Sequence, residues 1–185
     1  MPMTARNTVL PKTERLELRL LHPDDAAEVS KIMTPSVSKW LSSWPEYISE
    51  QDARIKIAKY RKNTEDKKAL TVAIYRRKDD LIIGSMSVGL KPKNPKVGVI
   101  GYWLGEEYQG KGYLGEILND FVNLAFSYLG ITTLEAGAQT ENHASFAIMK
   151  KMGMKPIGRK SIYVSSRDRD EDVLCYAMTR SGQNT

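Results

Sequence analysis

The chain has one cysteine, two histidines and no apolar run long enough to cross a membrane. The single cysteine, Cys175, excludes an intrachain disulfide, and we expect it to be buried and inert because no activating base is visible near it in the sequence. His22 and His143 lie far apart and outside any metal-ligand spacing, so no metal is expected. Residues 1–12 also lack the apolar run of a signal peptide. These absences favour a cytoplasmic protein with no membrane partner.

Hydrophobic residues make up 41% and charged residues 27% of the 185-residue chain, which is ordinary for one globular domain. We expect a single domain over residues 1–185, with a core from about 13 to 180 and short flexible termini. The net charge of +6 raises the question of a nucleic-acid partner. The positive residues are dispersed, however, as at Arg76-Arg77-Lys78 and Lys150-Lys151, and acidic residues interrupt them. Nucleic acid is therefore not expected as the primary partner.

Hydrophobic periodicity predicts seven strands and five helices. The strands are predicted at residues 15–20, 69–75, 81–90, 97–104, 132–138, 154–164 and 172–180, and the helices at 23–33, from 35, from 49, at 116–128 and at 141–152. Residues 91–95 are predicted to form a loop. The order β-α-α-α-β-β-β-α-β-α-β-β indicates a mixed α/β fold, in which one mixed sheet has helices on both faces.

The most informative stretch lies between the fourth strand and the fourth helix, at residues 103–116. Gly110, Gly112 and Gly115 stand with Lys111 where the helix is predicted to begin. Free backbone N–H groups at a helix start, together with the helix dipole and a cation, attract phosphate oxygens, and glycine lets the backbone approach the ligand closely. The stretch therefore predicts a phosphate-binding loop, with a simple tight turn as the alternative.

The same glycines match the pattern Gly-x-Gly-x-x-Gly of dinucleotide-binding proteins, and Glu135 lies at the spacing of its ribose-binding acid. In that fold the first glycine follows the strand at once, whereas here residues 106–109 intervene. The motif also lies past the middle of the chain, with no second mononucleotide-binding half after it. A P-loop is excluded because no Gly-Lys-Ser or Gly-Lys-Thr is present. We therefore expect the dinucleotide pattern to be fortuitous.

Five separate motifs follow one another along the chain: the opening 13–19, Ile100-Gly-Tyr-Trp-Leu104, Gln109-Gly-Lys-Gly112, Asn142-His-Ala-Ser145 and Met152-Gly-Met154. In this order they resemble the GCN5-related N-acetyltransferases (GNAT), and in particular their RimJ/RimL-like subgroup. The family's acyl-CoA signature, Gln/Arg-x-x-Gly-x-Gly/Ala, falls on Gln109, Gly112 and Leu114. Leucine thus replaces the last small residue, but the ligand there is a backbone amide and Gly115 follows directly.

The resemblance implies the acyl-CoA N-acyltransferase fold, with a mostly antiparallel sheet and splayed central strands, and acetyl-CoA as cosubstrate. It implies that backbone amides bind the pyrophosphate at Gln109, Gly110, Lys111, Gly112, Tyr113, Leu114 and Gly115. It further implies that Tyr102, Trp103, Leu104 and Gly105 pair with the pantetheine arm and polarise the thioester carbonyl. Asn142 is then expected to bond a pantetheine amide and Ser145 to lie near the sulfur.

The resemblance leaves the proton transfers open. The Ser145 hydroxyl can protonate the departing thiolate, although Asn142 and Ser145 can equally be a helix cap without a ligand. Many relatives have a glutamate where this chain has Val99, and Glu106 and Glu107 are expected to be solvated loop acids. No general base is therefore predicted, and we expect the amine to lose its proton through water or a backbone carbonyl, with catalysis resting mainly on proximity.

The acceptor is left open between a protein N-terminus, a polyamine, an amino sugar and an antibiotic, and the positive net charge disfavours a polyamine. Trp40, Trp44 and Tyr47 are predicted either to wall the acceptor pocket or only to pack the helical region onto the sheet. The leading hypothesis is direct acetyl transfer to a primary amine in a ternary complex. The alternatives are a non-catalytic acyl-CoA-binding module and a dinucleotide-dependent oxidoreductase. A monomer and a homodimer both remain open, the dimer through the last strand.

Overall fold

The computed structural model describes residues 8–180, so residues 1–7 and 181–185 of the predicted domain lie outside the described residues. The described part of the chain has seven strands, which are β1 Leu16–Leu20, β2 Ala69–Arg76, β3 Leu81–Lys91, β4 Asn94–Leu104, β5 Thr133–Gln139, β6 Lys155–Val164 and β7 Arg169–Thr179. They form one sheet, in the order β1-β2-β3-β4-β5-β7-β6. All neighbouring strands are antiparallel except β4 and β5, which are parallel. The predicted mixed α/β fold is confirmed.

Helices cover the central strands. They are α1 Ala26–Ile32, α2 Pro35–Ser38, α3 Glu50–Glu65, α4 Tyr113–Leu129 and α5 His143–Lys151. Residues 69–74 of β2 are all buried, and since successive side chains of a strand point to opposite faces, β2 must be covered on both faces. α1 and α3 pack on each other and on β2 or β3, while α4 also packs on β2. In the described part of the chain, no helix is long and apolar enough to cross a membrane.

Two predicted boundaries were wrong for identifiable reasons. The predicted loop 91–95 is a tight hairpin, because β3 continues to Lys91 and β4 already begins at Asn94. α4 begins at Tyr113 rather than at residue 116, since Gly112 takes a φ of +76° and turns the chain directly into the helix. The glycine loop and the start of the helix are therefore continuous, and helix-start amides follow Gly112 at once.

The last strand does not offer the free edge that the predicted dimer route requires. β7 pairs with β5 on one side and with β6 on the other. The edge strands of the sheet are β1 and β6. A strand whose backbone groups are paired on both sides cannot add a further strand.

The central feature of the sheet is the divergence of β4 from β5. The two strands pair over only three register positions of β4, from Val97 to Val99. Beyond Val99, β4 continues beside β3 as far as Leu104, while β5 continues beside β7 as far as Gln139. The side of β4 that faces β5 is therefore unpaired from Ile100 onward, and the sheet opens into a wedge at this point.

The turn between β6 and β7 is tied to residues 38–44, which we call the roof segment. The guanidinium of Arg167 donates to the backbone oxygens of Ser38 and Leu41, at 3.4 and 3.3 Å. It also forms a two-pronged ion pair with Glu171, at 2.7 and 2.9 Å. The Glu171 side chain is only 10% exposed. This pair fixes the distance between the β6–β7 turn and the roof segment.

The Arg167–Glu171 pair predicts a loss of stability in acid. The hydrogen bonds from Arg167, and then those from Gln139 and Arg169, lower the pKa of Glu171 to about 2 although burial opposes the shift. Because this folded-state pKa lies below the ordinary value of 4.5, the stabilisation is fully present above pH 4.5 and is lost as the pH falls toward 2. We expect Glu171→Gln to lower the free energy of unfolding at pH 7 by on the order of 2 kcal/mol.

Urea unfolding of both proteins at several pH values between 7 and 3 measures this effect. Wild type should lose more stability than Glu171→Gln between pH 5 and pH 3. Parallel stability curves for the two proteins would contradict the assignment.

Candidate active site

Two cavities meet at the opening between β4 and β5. The glycine-loop cavity, of about 380 Å³, is lined by the loop 109–115 and one side of α5. The roof cavity, of about 370 Å³, lies between the roof segment and the strands β2, β3 and β4. Six residues line both cavities and define the junction: Trp40, Leu41, Tyr102, Trp103, Asn142 and Ser145. Two ligands, one in each cavity, would meet at this junction.

The backbone of β4 alternates between two directions at the junction. The N–H of Gly105 donates to the oxygen of Ile83 on β3, at 2.9 Å. Because backbone groups of successive residues in a strand point to opposite sides, the N–H groups of Trp103 and Gly105 face β3 and those of Tyr102 and Leu104 face the wedge. The side-chain amide of Gln109 donates to the oxygen of Leu104 at 3.0 Å, which agrees with this alternation.

This alternation corrects part of the predicted set of pantetheine-binding residues, 102–105. The amides of Trp103 and Gly105 are committed to the sheet, and Gly105 lines neither cavity. The amides that remain open to a ligand are those of Tyr102 and Leu104. The side chain of Trp103 still lines both cavities.

The glycine loop brings helix-start amides to the wall of its cavity. Gly110 and Gly112 have φ values of +72° and +76°, which glycine adopts without strain. Gly112 is the N-cap of α4 and supplies no side chain to bond the first amides of the helix. Tyr113, Leu114 and Gly115 follow on the cavity wall. Amides free of protein partners at a helix start form a site for an anion.

Arg15, which precedes β1, holds this loop from outside. Its Nη1 donates to the backbone oxygen of Lys111 at 3.1 Å, and its Nε bonds the Glu116 carboxylate in the first turn of α4 at 2.6 Å. The guanidinium also lies 4.7 Å from the ring centre of Tyr113. Thr13 adds a hydrogen bond from its hydroxyl to Glu116. One side chain therefore contacts the loop, the start of the helix and the first turn.

The negative charge of Glu116 would otherwise oppose an anion at the start of α4. Burial alone would raise the pKa of Glu116, but the hydrogen bonds from Thr13 and Arg15 outweigh it and lower the pKa, so the carboxylate stays charged and paired. Arg15 thus both fixes the loop and neutralises an acid beside it. No local pattern in the sequence indicates this role, because residues 15 and 116 are far apart in the chain.

A second cation lies beside the loop, in addition to the predicted Lys111. The backbone oxygen of Lys111 accepts a hydrogen bond from Arg15, and neither Lys111 nor Lys151 lines a cavity. The Nζ of Lys151 lies 2.6 Å from the position that a Cβ on Gly115 would take. Gly115 therefore leaves room for the Lys151 ammonium beside the start of α4.

Asn142 and Ser145 begin α5 at the junction. The Asn142 side-chain oxygen accepts a hydrogen bond from the Ser145 N–H at 3.2 Å, which is the helix-cap arrangement. The hydroxyl of Tyr102 donates to the backbone oxygen of Ser145 at 3.3 Å. Burial raises the pKa of Tyr102 to about 12, which keeps this hydroxyl protonated. The junction therefore contains two O–H groups, on Ser145 and on Tyr102, where the sequence indicated only the first.

Acidic side chains are missing from both cavity walls. Among the described residues that line them, none is aspartate, glutamate or histidine. Glu106 instead accepts a hydrogen bond from Ser36 at 2.7 Å, and Glu107 is exposed. Val99 lines the roof cavity. The described residues contain no group of three or more His, Cys, Asp or Glu side chains arranged to hold a metal ion.

The three aromatic residues that were predicted near the acceptor pocket have different surroundings in the structure. Trp40 lines both cavities. Trp44 is buried, and its ring centre lies 5.6 Å from that of Trp103 and 6.4 Å from that of Tyr60, so it both packs the roof and lines the roof cavity. Tyr47 is 75% exposed and lines neither cavity, because the chain carries it past the roof segment to the surface.

Two further residues that the sequence singled out, Cys175 and Glu135, line neither cavity. Cys175 is buried in β7, as expected. Glu135, which lies at the spacing of the ribose-binding acid of dinucleotide-binding proteins, forms an ion pair with Lys91 at 2.6 Å. The mostly antiparallel sheet is also incompatible with the doubly wound parallel sheet of a dinucleotide-binding fold.

Residues 15–155 match the family model of the acetyltransferase (GNAT) domain. This match spans most of the chain and the whole of the junction, and the chain therefore belongs to the GNAT family of acetyltransferases. The resemblance of the motifs and the predicted fold are thereby confirmed.

Individual relatives agree with this assignment. The uncharacterized N-acetyltransferase p20 of Bacillus licheniformis is 24% identical over 169 residues, which cover 91% of this chain and 94% of that protein. The structure of RimL, a ribosomal L7/L12 alpha-N-protein acetyltransferase in complex with coenzyme A, is similar with a TM-score of 0.79 at 22% identity, covering 93% of this chain and 98% of that one. Mycobacterium smegmatis RimJ, in complex with CoA-disulfide, has a TM-score of 0.79 at 20% identity, over 92% of this chain and 84% of that one. At these identities the two structures establish a shared fold.

The contacts of Arg15 predict that it supports coenzyme A binding without touching the reacting atoms. Arg15→Gln removes the ion pair and the bond to Lys111, so we expect the affinity for coenzyme A to fall about tenfold. Isothermal titration with coenzyme A measures the change. Arg19→Gln is the matched control, because Arg19 is also an ion-paired arginine in this segment but bonds Glu17 and Asp80, away from the loop. Equal affinities of wild type and Arg15→Gln would overturn the assignment.

Proposed function

We propose that the protein transfers the acetyl group of acetyl-CoA directly to a primary amine, with both substrates bound at once. The observation that carries this proposal is the junction, at which two cavities reach one unpaired stretch of β4 from opposite sides. A phosphate-binding loop opens onto one cavity, whereas the other has a polar floor and an aromatic roof. This arrangement suits a donor and an acceptor that meet in the wedge.

The chemistry of the donor cavity fits coenzyme A. We assign the pyrophosphate to the amides that follow Gly112, with the Lys151 ammonium beside them. The extended pantetheine arm can hydrogen-bond the wedge-facing groups of Tyr102 and Leu104 as an added strand would. In this assignment the Leu104 oxygen is already occupied by Gln109, so only its N–H remains for the ligand. We assign the polarisation of the thioester carbonyl to these same wedge-facing amides.

The chain's residues set the protonation requirements of the reaction. As the C–N bond forms and the C–S bond breaks, the amine loses a proton and the thiolate gains one. No acid side chain lines the cavities among the described residues, so the amine has to arrive neutral or pass its proton to water or a backbone oxygen. Ser145 supplies an O–H group for the thiolate, whereas the Tyr102 hydroxyl already donates its proton to the Ser145 backbone oxygen. Catalysis then rests mainly on positioning and carbonyl polarisation.

The acceptor belongs to one of two groups. The similar structures of RimL and RimJ include an enzyme named for the ribosomal protein L7/L12, which makes a protein N-terminus one candidate acceptor. A small-molecule amine is the other, because the roof cavity, of about 370 Å³, can hold a compact group.

Acetyl-CoA binding and amine-dependent thiol release test the proposal. A saturating concentration of acetyl-CoA should stabilise the protein by about 2–3 kcal/mol and raise its melting temperature by several degrees, whereas NAD should not. An amine panel should then release free coenzyme A, and Asn142→Ala or Ser145→Ala should slow this release.

The outcomes separate the alternatives. Stabilisation by acetyl-CoA with no release for any amine would favour a non-catalytic acyl-CoA-binding module. Stabilisation by NAD instead of acetyl-CoA would refute the assignment.

A further inference from the structure

The floor of the roof cavity carries hydroxyl groups where the sheet would otherwise be apolar. Thr71 on β2 and Ser85 on β3 are 3% and 4% exposed, and the residues next to Thr71 on β2 are all aliphatic. Both line the cavity, together with Ser87. A buried hydroxyl destabilises a core unless it is hydrogen-bonded, so its presence on a cavity floor calls for a partner.

The hydroxyls of Thr71 and Ser87 form one pair, at 2.8 Å. Two hydroxyls hold two protons, and their mutual hydrogen bond uses one of them. Within residues 8–180, neither hydroxyl donates to any other group. The pair therefore keeps one O–H for a hydrogen-bond acceptor inside the cavity. Ser85 differs, since its hydroxyl already donates to the oxygen of Val72 at 2.8 Å.

The register of the strands leads from this pair to the junction. Thr71, Ser87 and Gly101 are direct neighbours across β2, β3 and β4, on one face of the sheet. With about 4.8 Å between strands, Ser87 lies about 5 Å and Thr71 about 10 Å from β4. A Cβ on Gly101 would have no neighbour within 4 Å, so the path between the pair and the junction is open. Gly101 precedes Tyr102, which belongs to the junction.

Among the described residues, the wall of the roof cavity carries a positive charge and no negative charge. Lys160 is the single charged residue on its wall among those described. Lys56 lies behind the roof, where its Nζ donates to the oxygen of Ser43 at 2.6 Å and lies 4.9 Å from the ring centre of Trp44. A second positive charge on the acceptor would find no carboxylate here to pair with.

We infer two properties of the acceptor amine, and this inference rests on the proposed acetyl transfer. The group attached to the amine presents an oxygen to the Thr71–Ser87 pair, and it carries no second positive charge. The oxygen is a hydroxyl or a carbonyl a few bonds from the amine. An N-terminal peptide and an amino sugar both have this chemistry. A diamine or a polyamine does not.

Thiol release with matched acceptors tests the inference. The acceptors are a serine-initiated peptide, glucosamine, propylamine without an oxygen and cadaverine with a second charge. Wild type should use the first two best, and the preference between them tells the peptide source from the sugar source. The variant Thr71→Val/Ser87→Ala removes both hydroxyls and should lower kcat/KM about tenfold for oxygen-bearing acceptors, with little change for propylamine. Thr71→Val alone, which preserves the shape of the side chain but leaves the Ser87 O–H, should act in the same direction by a smaller factor.

The control is Ser85→Ala. This variant removes a hydroxyl from the same cavity floor, but one whose proton is already donated to the oxygen of Val72. It should affect all acceptors alike. The melting-temperature shift with acetyl-CoA should be retained in Thr71→Val, which shows that the variant is folded and its donor cavity intact. Equal effects of Thr71→Val on all acceptors, or a wild-type preference for cadaverine, would overturn the inference while leaving acetyl transfer in place. If no amine releases coenzyme A from wild type, the proposed function and this inference fail together.

Discussion

The divergence of β4 from β5 is the constraint on which the rest of the site depends. Adjacent strands in a sheet normally satisfy each other's backbone groups, and leaving them unpaired costs free energy unless another partner supplies the hydrogen bonds. Here the two strands separate after three register positions, and each stays in the sheet through its other neighbour. The wedge can therefore remain open without unfolding either half. It supplies both a passage between the two cavities and the amides of Tyr102 and Leu104.

The site depends on long-range contacts at both of its entrances. On the loop side, Arg15 connects the segment before β1 to Lys111 and Glu116. On the roof side, Arg167 connects the β6–β7 turn to the roof segment and Glu171. Both arginines bond backbone oxygens and a carboxylate at once, which the planar guanidinium fork permits and an ammonium does not. Positioning by such rigid contacts suits a reaction in which no acidic side chain lines the described cavity walls.

The sequence and the structure agree most closely where the signal is local. Apolar periodicity located the seven strands and five helices, and the glycines at 110 and 112 indicated a tight loop before α4, because both signals depend on neighbours in the chain. The start of α4 was placed too late, since the conformation of Gly112 joins loop and helix without a gap. The order of motifs at 100–104, 109–112 and 142–145 indicated the family.

The remaining errors share a different cause. The resemblance to the family places Tyr47 with Trp40 and Trp44 over the acceptor pocket, but the path of the chain after the roof takes Tyr47 to the surface. Gly105 was counted among the pantetheine ligands, but its amide belongs to β3. Direction within a strand and distance across a fold come from tertiary pairing, which a single sequence does not display. For the same reason, the sequence does not predict the Thr71–Ser87 pair, whose members lie on two different strands.

The central claim is that the wedge-facing amides of β4 are free until acetyl-CoA occupies the gap. Residue-resolved amide hydrogen exchange, followed by NMR with and without acetyl-CoA, tests it most directly. The account predicts that the amides of Trp103 and Gly105 are protected in both states, whereas those of Tyr102 and Leu104 exchange fast in the free protein and at least about tenfold more slowly with acetyl-CoA. Tyr102 and Leu104 amides that are already protected in the free protein, or that do not respond to acetyl-CoA, would contradict it.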